Sequence, residues 1–248
     1  MSFQKVDIFS IPYAVVNYDS AALEIIEQAK NKTSYAVYAL PVHGVVENKQ
    51  NPSFAEAVKK ADMIVPDGQP IRWAMNNFHK VGLKDRVYGP LLTLRVLAEA
   101  NDLGLNVYVY GGATEETLEK FVAFIQNHYP NVKICGKYRE DKPDDNTLTP
   151  EMVNDAGTHI LLVGRGCPKQ EIWVASNKGK INAVMMAVGA AFAFHAGTIK
   201  QAPKWMQKNG LEWLYRLIQE PKRLFKRYFT TNSYFIWLVI QYKLFGKK

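Results

Sequence analysis

Short, almost wholly apolar runs alternate along this chain with longer stretches whose apolar residues recur at helical spacing. The runs occupy residues 35–42, 63–65, 107–110, 132–135, 160–163 and 183–188, and close on Gly, Pro or Asp. Between them, residues 21–29, 54–61, 91–100, 115–128 and 171–177 carry one apolar stripe each. A run with no polar alternation fits a strand covered on both faces, and the intervening helices supply parallel crossovers. The pattern predicts an α/β fold: a mainly parallel, Rossmann-like sheet with helices on both faces. Such sheets take ligands in a crevice beyond the carboxyl ends of their strands.

The pattern changes near residues 201–210, which divide an α/β body (1–200) from a C-terminal appendage (201–248). Between Lys200 and Lys248 there are 11 Lys/Arg against 2 Asp/Glu, a net of +9, whereas the preceding 199 residues carry 20 against 21. The same tail holds 11 of the 30 aromatic residues. Over residues 222–229 a helical reading sorts Lys222, Arg223, Lys226 and Arg227 onto one face and Leu224, Phe225, Tyr228 and Phe229 onto the other, with Pro221 beginning or kinking the helix. A near-neutral body with a basic aromatic tail suggests docking on an anionic surface. Residues 140–150 are polar and rich in Pro and Asp, and read as a surface loop.

Composition narrows the class. Hydrophobic content of 48% is ample for a packed core. Two cysteines, Cys135 and Cys167, give no disulfide framework and suit a reducing compartment. The N-terminal residues lack the basic-then-apolar order of a signal peptide. No window has the 18 or so apolar residues that span a bilayer; residues 234–245 come nearest, interrupted by Gln241 and Lys243.

Chemistry is expected where strands end. Asp67, in Pro66-Asp-Gly-Gln-Pro70, is either a turn residue or a general base facing the crevice. In Val163-Gly-Arg-Gly-Cys-Pro-Lys-Gln-Glu171, Gly164 and Gly166 allow close backbone approach, and the helix start with Lys169 would favour an anion such as a diphosphate. Gln170 can contact a base or sugar edge. The alternative is a tight strand–helix turn without ligand. Gly111 and Gly112, in Tyr110-Gly-Gly-Ala-Thr-Glu-Glu-Thr117, precede a plausible N-cap, Thr114. Glu115 and Glu116 would repel phosphate there, which favours a nucleoside or ribose contact. Arg86 neutralises a phosphate, orients Asp67, or is simply solvated. Neither His43 nor His195 has a His or Cys partner at metal-ligand spacing, and no Asp-x-Asp pair is present, so neither a metal nor a cofactor is expected. Cys167 reads as structural.

The motifs Pro66-Asp-Gly-Gln-Pro70, Arg86-Val-Tyr-Gly89, Val163–Glu171, Ala202-Pro-Lys-Trp-Met206 and Gly210-Leu-Glu-Trp-Leu-Tyr-Arg-Leu-Ile-Gln-Glu-Pro-Lys-Arg-Leu224 together resemble the WecG/TagA/CpsF glycosyltransferase family, over roughly residues 35–230. The resemblance implies a family-specific topology with an appendage covering the active site. It implies metal-independent, inverting transfer of a sugar from a UDP-sugar donor to a polyprenyl-diphosphate-linked saccharide at the cytoplasmic face of a bacterial inner membrane, by a peripheral enzyme. By motif, Asp67 is the base, Arg86 and Gln170 line the donor site, and Arg216, Arg223 and Arg227 are the appendage arginines. Many members have Thr-x-Asn-Pro where this chain has Ala39-Leu-Pro-Val-His-Gly44, and Phe-Asp-Phe where it has Phe192-Ala-Phe-His195. His43 and His195 are therefore candidates for the sugar contacts.

Two other classes fit the sequence less well. A nucleic-acid-binding protein would use the basic tail, but nothing in the body resembles a nucleic-acid reader, and no nucleic-acid partner is expected. A dinucleotide-dependent oxidoreductase needs an early Gly-x-Gly-x-x-Gly, which is missing.

Overall fold

The computed structural model describes residues 3–139 and 148–246, the Arg223 side chain excepted. Most of the loop expected at 140–150 therefore lies outside the described residues. A hairpin opens the chain: β1 (Lys5–Ile8) and β2 (Ile11–Ala14) are joined by Phe9 and Ser10, both at positive φ. That turn geometry matches the right-handed twist of a tight hairpin. Then follow α1 (Tyr18–Lys30), β3 (Tyr35–Leu40), α2 (Val42–Gln50), α3 (Pro52–Lys59), β4 (Met63–Pro66), α4 (Gln69–His79), α5 (Gly89–Leu103), β5 (Asn106–Gly111), α6 (Glu115–His128) and β6 (Lys133–Tyr138). The body closes with α7 (Pro150–Asp155), β7 (Ile160–Gly164), α8 (Lys169–Asn177), β8 (Val184–Ala187) and α9 (Ala191–His195). The C-terminal segment forms α10 (Lys204–Lys208), α11 (Glu212–Gln219) and α12 (Pro221–Phe245).

Six strands form one parallel sheet in the order β4-β3-β8-β7-β5-β6. All six apolar runs of the sequence are strands and all five predicted helices are present. Successive residues point to opposite faces. Val37, Val107, Val109, Ile160, Leu162, Val184 and Met186 pack under α1, α5 and α6. Tyr38, Tyr108, Tyr110, Leu161, Val163 and Met185 pack under α3, α4, α8 and the hairpin. The sheet is thus apolar on both sides, which is why its strands read as continuous runs. The chain builds β3 then β4 toward one edge and β5 then β6 toward the other, so the carboxyl ends of β3, β8, β7 and β5 open at the topological switch.

The C-terminal helices pack on the body. Pro221 begins α12, where its missing N–H costs nothing. Leu224, Thr231, Phe235 and Leu238, at helical spacing, are buried against the body. Phe9 at the hairpin tip meets Phe235 edge-on at 5.6 Å, and Phe78 of α4 stacks on Tyr242 at 4.1 Å. This corrects the two-face reading of residues 222–229. Leu224 faces the body with Arg227 and Tyr228, while Phe225 and Phe229 are 63% and 68% exposed beside Lys222 and Lys226.

Candidate active site

Every strand of the switch region contributes a loop to one cavity of about 580 Å³. Its floor carries Asp67 after β4, Gly111 and Gly112 after β5, Gly164 to Glu171 after β7, and Val188 to Ala190 after β8. Ala39 from β3 and His43 from the first turn of α2 complete it. The C-terminal helices form the roof: Glu212, Trp213 and Arg216 from α11, and Arg227, Tyr228, Thr231 and Asn232 from α12. Segments more than a hundred residues apart therefore meet across the space.

Asp67 is half-buried at the end of β4. Gly68, at φ +99, turns the chain away into α4 and leaves the carboxylate facing the cavity. Its Oδ2 accepts the backbone N–H of Gly89, the first residue of α5, at 3.3 Å. Burial pushes the carboxyl up to about 7; Arg86 opposes that shift and the Glu212 carboxylate adds to it. A carboxylate with a proton affinity near neutral pH is suited to general-base work.

Arg86 is buried, not solvated, and its charge is taken by the tail. Its Nη2 lies 2.6 Å from Glu212 Oε2 and 3.3 Å from Gln207 Oε1, and the guanidinium sits 4.3 Å over the Tyr88 ring. Two of these partners went unread in the sequence, because a pairing across 126 residues leaves no local periodicity; the one available signal was that Glu212 lies within the longest family-like motif.

The loop after β7 is tied to itself. Gln170 accepts from the Gly166 N–H at 3.1 Å and donates to Glu171 Oε1 at 2.8 Å, so both ends of its buried amide are engaged within the protein. Glu171 is fully buried, and burial pushes its carboxyl up to about 7. Glu171 also ends a family-like motif whose spacing alone gives it no role. Lys169 stands exposed at the start of α8, beside the cavity. Gly164 serves packing, since a Cβ there would lie 2.7 Å from the Phe192 ring, whereas Gly166 borders open space at φ +78. Thr114 caps α6 through the Thr117 N–H at 3.1 Å.

The two histidines part company. His43 lines the cavity, its pKa lowered by burial and by Arg227. His195 lies outside the lining: it stacks on Phe124 at 5.2 Å and its Nε2 is 2.9 Å from the Pro90 carbonyl. Arg216 and Arg227 reach the cavity from the roof, Arg216 lying 5.5 Å from the Phe194 ring. The side chain of Arg223 is outside the described residues. Arg139 and Arg165 also line the space. Arg139 is held by Glu115 at 3.2 Å and Arg165 lies over Tyr110 at 5.2 Å. Guanidinium and ammonium groups thus outnumber carboxylates around the cavity, which suits a polyanionic ligand. Among the described residues, no group of three or more His, Cys, Asp or Glu is arranged to hold a metal ion.

The chain is similar to known proteins along most of its length. The profile of the "Glycosyl transferase WecG/TagA/CpsF family" matches residues 6–248. A Bacillus subtilis (strain 168) protein named N-acetylglucosaminyldiphosphoundecaprenol N-acetyl-beta-D-mannosaminyltransferase is 30% identical over 182 residues, covering 73% of this chain and 70% of its own length. The chain belongs to the WecG/TagA/CpsF family of glycosyltransferases.

Proposed function

We propose that the protein transfers a hexose-type sugar from a UDP-sugar to a saccharide linked to a polyprenyl diphosphate, with inversion, in the synthesis of a bacterial surface polysaccharide or cell-wall polymer. The Bacillus relative is named for a sugar transfer to a diphosphoundecaprenol-linked acceptor, which supports this substrate class. Asp67 takes the proton of the acceptor hydroxyl as that oxygen attacks the anomeric carbon. The bond from the anomeric carbon to the UDP oxygen breaks on the opposite face, and UDP leaves with the electron pair. Arg216, Arg227 and Lys169 balance the charge that develops on the diphosphate, in the place a divalent ion would otherwise take. The observation that carries this reading is the position of Asp67: a carboxyl group at a strand end, facing a cavity whose roof carries Arg216 and Arg227.

The protein works at a membrane surface in this reading, peripherally and on the cytoplasmic side where nucleotide sugars are made. No described helix is long and apolar enough to cross a bilayer. The outer side of α12 supports surface docking: Phe225, Phe229, Ile236, Ile240 and Leu244 are each at least half exposed, with Lys222, Lys226 and Lys243 among them. Screening UDP-sugars for protection against thermal unfolding tests the donor, since a ligand of the native state raises its stability. A rise in Tm with one UDP-sugar, followed by transfer of that sugar to an N-acetylglucosaminyl diphosphate acceptor with a short lipid, is expected. The absence of stabilisation by any uridine nucleotide would contradict the donor assignment.

A further inference from the structure

The C-terminal helices meet the body through a buried ion pair near Asp67. Glu212, in the first turn of α11, and Arg86 have side chains 13% and 8% exposed and approach to 2.6 Å. Gln207 braces the same guanidinium nitrogen at 3.3 Å, and is itself fixed by donating to the Ala202 carbonyl at 2.8 Å. The direction of Arg86 is therefore set by two groups of the C-terminal segment and by the Tyr88 ring. Asp67, close enough to feel both charges, is oriented instead by the Gly89 N–H. An arginine that turned to pair with Asp67 would stabilise its ionised form and make it a weaker base.

We propose that Glu212 is a positioning residue of the transfer reaction: it draws the Arg86 guanidinium into a buried pair, keeps that cation off the Asp67 carboxylate, and so couples seating of the C-terminal helices to the strength of the base. This rests on Asp67 being the base. The charged and titratable groups around Asp67 are Tyr13 of β2, Tyr18 of α1, Arg86 and Tyr88 ahead of α5, and Glu212 and Arg216 of α11. Arg86 and Arg216 lower its proton affinity and Glu212 raises it. With Glu212 neutral, two cations act on Asp67 with no nearby anion to offset them. Withdrawing α11 would have the same effect on Arg86, so an open C-terminal segment leaves a poorer base as well as an uncovered cavity.

The test is a carboxyl-carbon NMR titration of the full chain labelled at Asp, with Asp67→Asn identifying the resonance. Wild type is expected to titrate near pH 7, and Glu212→Gln to move the Asp67 midpoint to lower pH, by roughly half a unit or more. Glu212→Asp, which keeps the charge, leaves it nearer the wild-type value. Arg86→Gln combined with Glu212→Gln, which leaves no uncompensated buried charge, restores the midpoint to pH 7 or above. The acid limb of kcat/KM should follow the same order, a displacement that a merely structural contact would not produce. An Asp67 midpoint that is the same in wild type and Glu212→Gln, or unchanged between Glu212→Gln and the double variant, overturns the inference. Full turnover by Asp67→Asn would instead overturn the base assignment, so the two failures are distinguishable.

Discussion

Gly111 and Gly164 approach so closely that a Cβ on Gly111 would lie 2.6 Å from the carbonyl carbon and oxygen of Gly164. The two residues are register partners at the ends of β5 and β7, and Gly112 N–H donates to the Gly164 carbonyl at 3.1 Å. Their contact sets the level of the cavity floor. Gly111→Ala meets both this backbone clash and a φ of +117, so it is expected to destabilise the protein by about 3 kcal/mol or more. Gly166→Ala meets open space at φ +78 and should cost about 1 kcal/mol. Urea unfolding of the two variants checks the order; equal losses would mean that close packing is not what Gly111 provides.

Glu171 makes stability fall as pH rises. Its carboxyl is raised from 4.5 to about 7 in the folded state, so between those values the folded protein holds a proton that the unfolded chain has released. Stability is therefore full at the acid end of this window, declines through it, and levels off above about 7; for this one group the change is on the order of 3 kcal/mol. Asp67 adds a contribution of the same sign. Glu171→Gln keeps the acceptor for Gln170 and removes the titration. The variant should show a flatter stability–pH curve than wild type by chemical denaturation, and an unchanged slope would refute this.

The outward side of α12 should carry membrane affinity independently of the chemistry. Replacing Phe229, Ile240 and Leu244 by Ser should release the protein from phosphatidylglycerol vesicles in co-sedimentation, while turnover on a short-lipid acceptor stays within about twofold. Each basic side chain near the surface contributes about 1 kcal/mol, so neutralising Lys222 and Lys226 should weaken binding further and make what remains less sensitive to salt. Undiminished vesicle binding by the triple variant would place the docking surface elsewhere.

In the proposed mechanism arginines and a lysine balance the charge of the diphosphate, so transfer should persist in EDTA. Activity that disappears on chelation and returns with Mg²⁺ or Mn²⁺ would contradict this.

Much of this architecture was legible because a doubly covered parallel sheet writes itself as apolar runs: Val107 to Tyr110 and Ile160 to Val163 are buried at every position. Asp67 lies at a strand end, and His43 and Gln170 in the first turns of helices that follow strands, where the fold gathers whatever comes after a strand. The hairpin of β1 and β2 was not legible, since the alternation of β1 lasts only four residues and β2 contains Pro12. The orientation of α12 was misread because Phe225 and Phe229 look like core residues, yet the body selects the stripe through Leu224, Thr231, Phe235 and Leu238. The Arg86–Glu212 pair depends on tertiary folding alone. His195 follows the last strand as a ligand residue would, but α9 turns it onto Phe124.

The most direct measurement of the central claim is single-turnover transfer by Asp67→Asn, with the donor chosen by the stabilisation screen. The amide keeps the shape of the carboxylate and cannot take the acceptor's proton. The predicted result is a fall in the chemical rate of roughly 10²–10⁴-fold, with stabilisation by the UDP-sugar retained. A chemical rate near that of wild type would contradict the assignment of Asp67 as the base, and with it the mechanism.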